Sequence, residues 1–81
     1  MKKIIYPIHV QERMAKRGIR KTDIEQALSD PHTILPCKDP RRTRIMEKVR
    51  GRTLDVIYVE TKKKIILVTA VWLDKEDRYL K

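Results

Sequence analysis

Apolar residues follow one rhythm before Pro31 and another after it. In the stretch IHVQERMAKRGI, Val10, Met14 and Ala15 recur at helical spacing among charged and polar neighbours. This predicts a helix from about Pro7 to Arg17 with a single apolar side. Pro7 suits a first turn, where its missing N–H costs nothing. Gly18 stands where a left-handed C-terminal cap is usual, and Ile19 can fold back over the last turn. A second helix is expected to begin at TDIE, where Thr22 and Glu25 have the spacing of a capping box. It would carry Ile24, Ala27 and Leu28 on one face and stop before Asp30-Pro31, since a residue before proline avoids helical geometry.

Beyond Pro31 the blocks TILPC, RTRIMEKV, RTLDVIYVE and KKIILVTAVWL are rich in Ile, Val, Leu and Thr and are separated by turn signals. They predict four strands, with short hairpins at VRGRT around Gly51 and at ETKKK around Lys62. The last two blocks are almost continuously apolar, as central strands covered on at least one face would be. PCKDPRRTR forms a basic, proline-bounded loop, and DKEDRYLK from Asp74 reads as a polar tail. The expected fold is α+β: two N-terminal helices packed on one face of an antiparallel meander of about four strands.

Length permits one domain over residues 1–81, with a small core. With 41% hydrophobic residues gathered in blocks, the chain is not of disordered type. Cys37 is the only cysteine, so no intrachain disulfide can form and a reducing compartment is expected. The opening MKKIIYPIHV is basic, but Pro7 and His9 cut its apolar run far short of a signal-peptide core or a membrane span. The expectation is a soluble, cytoplasmic protein.

Charge narrows the function classes. Twenty Lys and Arg against eleven Asp and Glu leave a net charge of +9, which favours a phosphate-rich partner and leaves an anionic membrane surface or an acidic protein as alternatives. His9, Arg13 and Arg17 recur every four residues on the first predicted helix, so an imidazole and two guanidiniums share one stripe. Either that stripe is merely solvated or it meets something negative. Arg20, just past the corner, and Arg44, Lys48 and Arg52 on the second and third predicted strands could extend it as a nucleic-acid-binding track. The plainer reading is that several of Arg44, Lys48 and Arg52 simply solubilise a sheet edge, where such cations block aggregation.

Two N-terminal helices followed by an antiparallel meander resemble the RelE/ParE-like toxin superfamily of small RNases and their relatives. Within that group, His9, Arg13, Arg17, Gly18 and Ile19, spaced as H-x3-R-x3-R-G-I, look like the signature of a small, largely uncharacterised prokaryotic domain family. Asp30-Pro31, the G-R-x-L-x-V of Gly51, Arg52, Leu54 and Val56, and Val68-Thr69 extend the likeness over most of the chain. The resemblance implies a fold shared with metal-independent RNases, a toxin-like role and an acidic, antitoxin-like partner; fold alone carries no activity. It also implies an Arg or Tyr late in the chain among the participants, here Arg78 and Tyr79.

Metal-free RNA cleavage needs a base for the 2′-hydroxyl, an acid for the leaving oxygen and cations at the phosphorane. His9 could act as base or acid, with Arg13 and Arg17 gripping the phosphate; in the plainer alternative His9 packs near the helix start. Trp72 and Tyr79 could stack a base, although Trp72 ends an apolar strand and suits the core, as Tyr58 does. One Cys and two distant His offer no metal-ligand spacing, and with only Gly18 and Gly51 there is no glycine-rich phosphate loop, so neither metal nor cofactor is implied. His32 is given no role and Cys37 is read as inert. Two classes of function remain: an RNA-acting enzyme, and a non-catalytic module that binds nucleic acid or protein.

Overall fold

The computed structural model describes residues 2–73. Its elements are β1 (Lys3–Ile5), α1 (Ile8–Arg17), α2 (Lys21–Ser29), β2 (Ile34–Leu35), β3 (Arg42–Val49), β4 (Arg52–Glu60) and β5 (Lys64–Trp72). One sheet runs β1-β5-β4-β3-β2, and both helices lie on the same face of it. α1 packs on β5, while α2 packs on β3 and β4.

The α+β class and the helix pair are as expected, but the sheet has five strands and is mixed. β1 runs parallel to β5, with Lys3, Ile4 and Ile5 opposite Lys64, Ile65 and Ile66, while every other pairing is antiparallel. A three-residue strand ahead of a proline is too short to show a period of two, and its partner lies at the far end of the chain. The first predicted strand shrinks to Ile34–Leu35. Pro36 follows it and has no N–H for the ladder.

Local chemistry explains the helix ends. Pro7 is the N-cap rather than part of the first turn, and its carbonyl accepts the N–H groups of Val10 and Gln11 at 3.0 Å each. At the other end Gly18 sits at φ 67°. Ile19 N–H reaches the Met14 carbonyl at 2.9 Å and Gly18 N–H the Ala15 carbonyl at 3.4 Å. This pair of hydrogen bonds is the Schellman pattern, and it drives Ile19 into the core.

The start of α2 differs from the expectation. Arg20 is the N-cap, and it is the Asp23 carboxylate, not Glu25, that accepts a cap N–H, from Arg20 at 2.9 Å. The helix thus begins one residue ahead of Thr22.

β5 shows why its sequence reads as continuously apolar. Leu67 opposes Tyr58 and Thr69 opposes Ile57, so Val68 is the extra residue of a β-bulge. The bulge shifts the alternation, and Ile65, Leu67, Ala70 and Trp72 all turn toward the helices. With Ile45, Val49, Leu54, Val56 and Tyr58 they meet Val10, Met14, Ile24 and Ala27 in one core. No helix among the described residues is long and apolar enough to cross a membrane.

Candidate nucleic-acid interface

The His9–Arg13–Arg17 stripe is real but not straight. On a helix of 3.6 residues per turn, each step of four overshoots by about 40°. The stripe therefore begins on the solvent side and drifts toward the sheet. His9 and Arg13 are exposed, and among the described residues neither has a hydrogen-bond or ion-pair partner. Arg17 arrives at the edge of β5, where its Nη1 donates to the Ala70 carbonyl at 2.9 Å.

That carbonyl is available for a definite reason. Leu73 N–H bonds the Thr53 carbonyl at 2.8 Å, so hydrogen-bonded pairs with β4 alternate from that point, and Ala70 turns its polar groups outward. β1 covers the outer edge of β5 only at Lys64–Ile66. Arg17 thus satisfies a carbonyl on an uncovered stretch of edge.

The same end of the molecule receives the β3–β4 hairpin. Its two turn residues, Arg50 and Gly51, have φ 54° and 76°, the signs a type I′ turn requires. Left-handed geometry is unfavourable for arginine, and the side chain is firmly held. Its Nε and Nη2 donate to Asp23 Oδ1 and Oδ2 at 3.0 and 2.8 Å, and Nη2 also lies 3.4 Å from the Gly18 carbonyl. Asp23 is only 2% exposed. Burial pushes its pKa up, but the bonds from the Arg50 side chain and the Arg20 N–H outweigh burial and hold it below the usual carboxylate range.

Trp72 joins this assembly from β5. The Arg52 guanidinium carbon lies 4.1 Å from the ring centroid and that of Arg50 5.5 Å, so two cations flank one indole. Arg17, Arg20, Arg50 and Arg52 thereby converge from two distant segments around the α1–α2 corner and Trp72. Sequence reasoning missed Arg50 and Asp23. The signal was Asp23 at the third position of α2 together with a non-glycine residue in a two-residue turn.

The sheet separates the other candidates from this cluster. Ile45, Glu47 and Val49 oppose Val56, Leu54 and Arg52 on the helix face, which sends Arg44 and Lys48 to the opposite face. There Arg44 is committed to Asp55, with Nε–Oδ1 and Nη2–Oδ2 both at 2.9 Å. Lys48 is exposed beside it, so Arg44 and Lys48 do not continue the Arg13 track. An open pocket of about 390 Å³ lies beside Arg44, lined by Pro36, Cys37, Lys38, Asp39, Arg42 and Ile57 as well. Arg78 and Tyr79 lie outside the described residues.

His32, given no role from sequence, has a structural one. Glu47 accepts the N–H groups of His32 and Thr33 at 2.6 and 2.9 Å, and the His32 Nδ1 lies 3.3 Å from it, which pins the α2–β2 connection. Tyr58 is core, as read, and Trp72 is half-buried. Among the described residues, no three His, Cys, Asp or Glu side chains are grouped to hold a metal ion.

A small, strongly basic α+β domain with Arg17, Arg20, Arg50 and Arg52 gathered at one end is thus the class the geometry defines. The chain belongs to the family described as a domain of unknown function, DUF4258, whose pattern matches residues 8–72. The match takes in the H-x3-R-x3-R-G-I stripe, the hairpin and Trp72, and it carries no link to the RelE/ParE-like superfamily. No curated protein and no solved structure matches the chain.

Proposed function

We propose that the protein acts on RNA, holding its phosphate backbone along α1 and at the arginine cluster around Trp72. The observation that carries this reading is the convergence of guanidiniums from residues 17–20 and 50–52 at one end of a chain of net charge +9. α1 leads to that end: His9 and Arg17 are about 12 Å apart along the axis, with Arg13 between them. Phosphate contacts of this kind supply affinity without reading sequence.

Fluorescence anisotropy with a labelled RNA, repeated across a salt titration, tests the proposal. Replacing Arg13 and Arg20 with Gln should weaken binding and shallow the logarithmic salt slope by about 0.7 per lost contact on a single strand. An unchanged slope refutes the assignment of those residues.

A second reading, toxin-like metal-independent RNA cleavage of the RelE/ParE-like kind, is favoured by one specific feature. The exposed His9 imidazole has no protein partner among the described residues and stands one helical turn from Arg13, as a proton-transfer group beside a phosphate clamp would. On this reading an acidic, antitoxin-like partner would cover the same face. Growth arrest on expression, relieved by His9→Asn, would support it. Binding without cleavage, with or without ribosomes, would leave the non-catalytic module.

A further inference from the structure

We infer that the Arg52–Trp72 stack is a platform for an unpaired nucleobase, so that the RNA taken at this end is single-stranded. The inference rests on the RNA reading above and narrows its substrate class.

Three features carry it. The Arg52 guanidinium lies 4.1 Å over the indole, close enough for the two π-systems to be stacked. The stack is built rather than incidental, because Arg52 and Trp72 are diagonal neighbours across the β4–β5 ladder on the helix face. The hairpin that presents Arg52 is anchored through Arg50 to the buried Asp23. Finally, the indole Nε1 is buried with no hydrogen-bond partner among the described residues. A tryptophan that is simply core would normally satisfy that donor.

Chemistry then selects the ligand. Bases stack on aromatic rings and on guanidinium planes, and they do so only when unpaired, because in a duplex both π-faces are already occupied. Arg17 and Arg20 at the neighbouring corner supply the charge for adjacent phosphates. A duplex could use those charges but not the platform.

Trp72 is the only tryptophan in the chain, so its fluorescence reports on this site alone. The full chain should be titrated with a single-stranded RNA oligonucleotide, with its duplex, and with inorganic polyphosphate, while anisotropy of labelled RNA measures occupancy. Quenching by the single strand, with little from duplex or polyphosphate at equal occupancy, is expected. Trp72→Phe keeps an aromatic face should Trp72→Leu fail to fold. Arg52→Lys keeps the charge but loses the plane, and should lower single-strand affinity roughly five- to a hundredfold while sparing polyphosphate. Single-strand binding that leaves the fluorescence unmoved, quenching by polyphosphate of equal size, or an Arg52→Lys variant that binds as well as the parent would each overturn the platform and leave the RNA surface standing. Absence of any RNA binding at low salt would overturn both.

Discussion

Arg50→Asn is the most informative single change. It removes the guanidinium from Asp23 while placing in the turn a residue that tolerates φ 54°. Stripping one partner from a buried ion pair costs about 3–5 kcal/mol. The Arg50 side chain is 42% exposed, although that of Asp23 is only 3%, so solvent screening should roughly halve that cost. Relief of left-handed strain returns about 1 kcal/mol. The net loss should be about 0.5–1.5 kcal/mol, a fall of roughly 2–12 °C in Tm for a domain of this size.

The decisive comparison is the same substitution in an Asp23→Asn background. There no buried carboxylate remains to be stranded, the backbone relief is set only against the lost Gly18 and Trp72 contacts, and Arg50→Asn should become close to neutral. Urea denaturation followed by circular dichroism measures all four corners of the cycle. Equal destabilisation in both backgrounds would show that Arg50 acts through something other than Asp23, and the account of the strained turn would be wrong.

The remaining expectations concern the cap, acid stability and His9. Gly18→Ala should cost about 1–2 kcal/mol in thermal unfolding even though nothing crowds the new methyl, because φ 67° alone sets the penalty. Asp23 is held below its usual range by bonds that outweigh burial. Glu47 is too, through the Thr33 and His32 N–H groups and the His32 ring. Their contribution is complete above the unfolded-chain values near about 3.9 and 4.3 and drains away as pH falls through the lower folded values. Asp23→Asn and Glu47→Gln should therefore flatten the acid limb of stability below about pH 4 while leaving its shape near neutrality unchanged. If the second reading holds, His9→Asn should lower cleavage by roughly two to four orders of magnitude with RNA affinity retained. Cleavage that survives the substitution would make His9 structural.

Elements whose cause is local were legible in the sequence. Gly18 as the α1 cap and the hairpin at Gly51 each follow from a few adjacent residues, and each is present; on α1 itself Val10 and Met14 are buried as expected, whereas Ala15 is exposed. What was missed depends on partners remote in the chain. β1 is a strand only because β5 offers it an edge, and the β5 alternation was hidden by a bulge at Val68, inside one of the quoted motifs. In the candidate site, the stripe on α1 was visible from spacing. Its drift toward the sheet, which takes Arg17 to Ala70, needed the position of β5. Arg44 and Arg52 looked equivalent as strand cations, yet strand parity places one beside Asp55 and the other over Trp72. Asp23 passed as an ordinary first-turn carboxylate, since nothing nearby in sequence announces Arg50.

The parallel pairing of β1 with β5 sets an order of events during synthesis. Lys3–Ile5 leave the ribosome before every other described element, yet their partners at Lys64–Ile66 are among the last to emerge. The β3–β4–β5 meander and the helix corner can assemble through short closures, whereas the β1 contact closes the long loop between Lys3–Ile5 and Lys64–Ile66 and gains only three residues of ladder for it. The first-made strand should therefore be the last to dock. In pulse-labelled hydrogen exchange, protection of the β1 amide that bonds β5 should lag that of Leu54 and Val56. Until then the nascent protein exposes the full outer edge of β5, the stretch most open to pairing with a neighbouring chain.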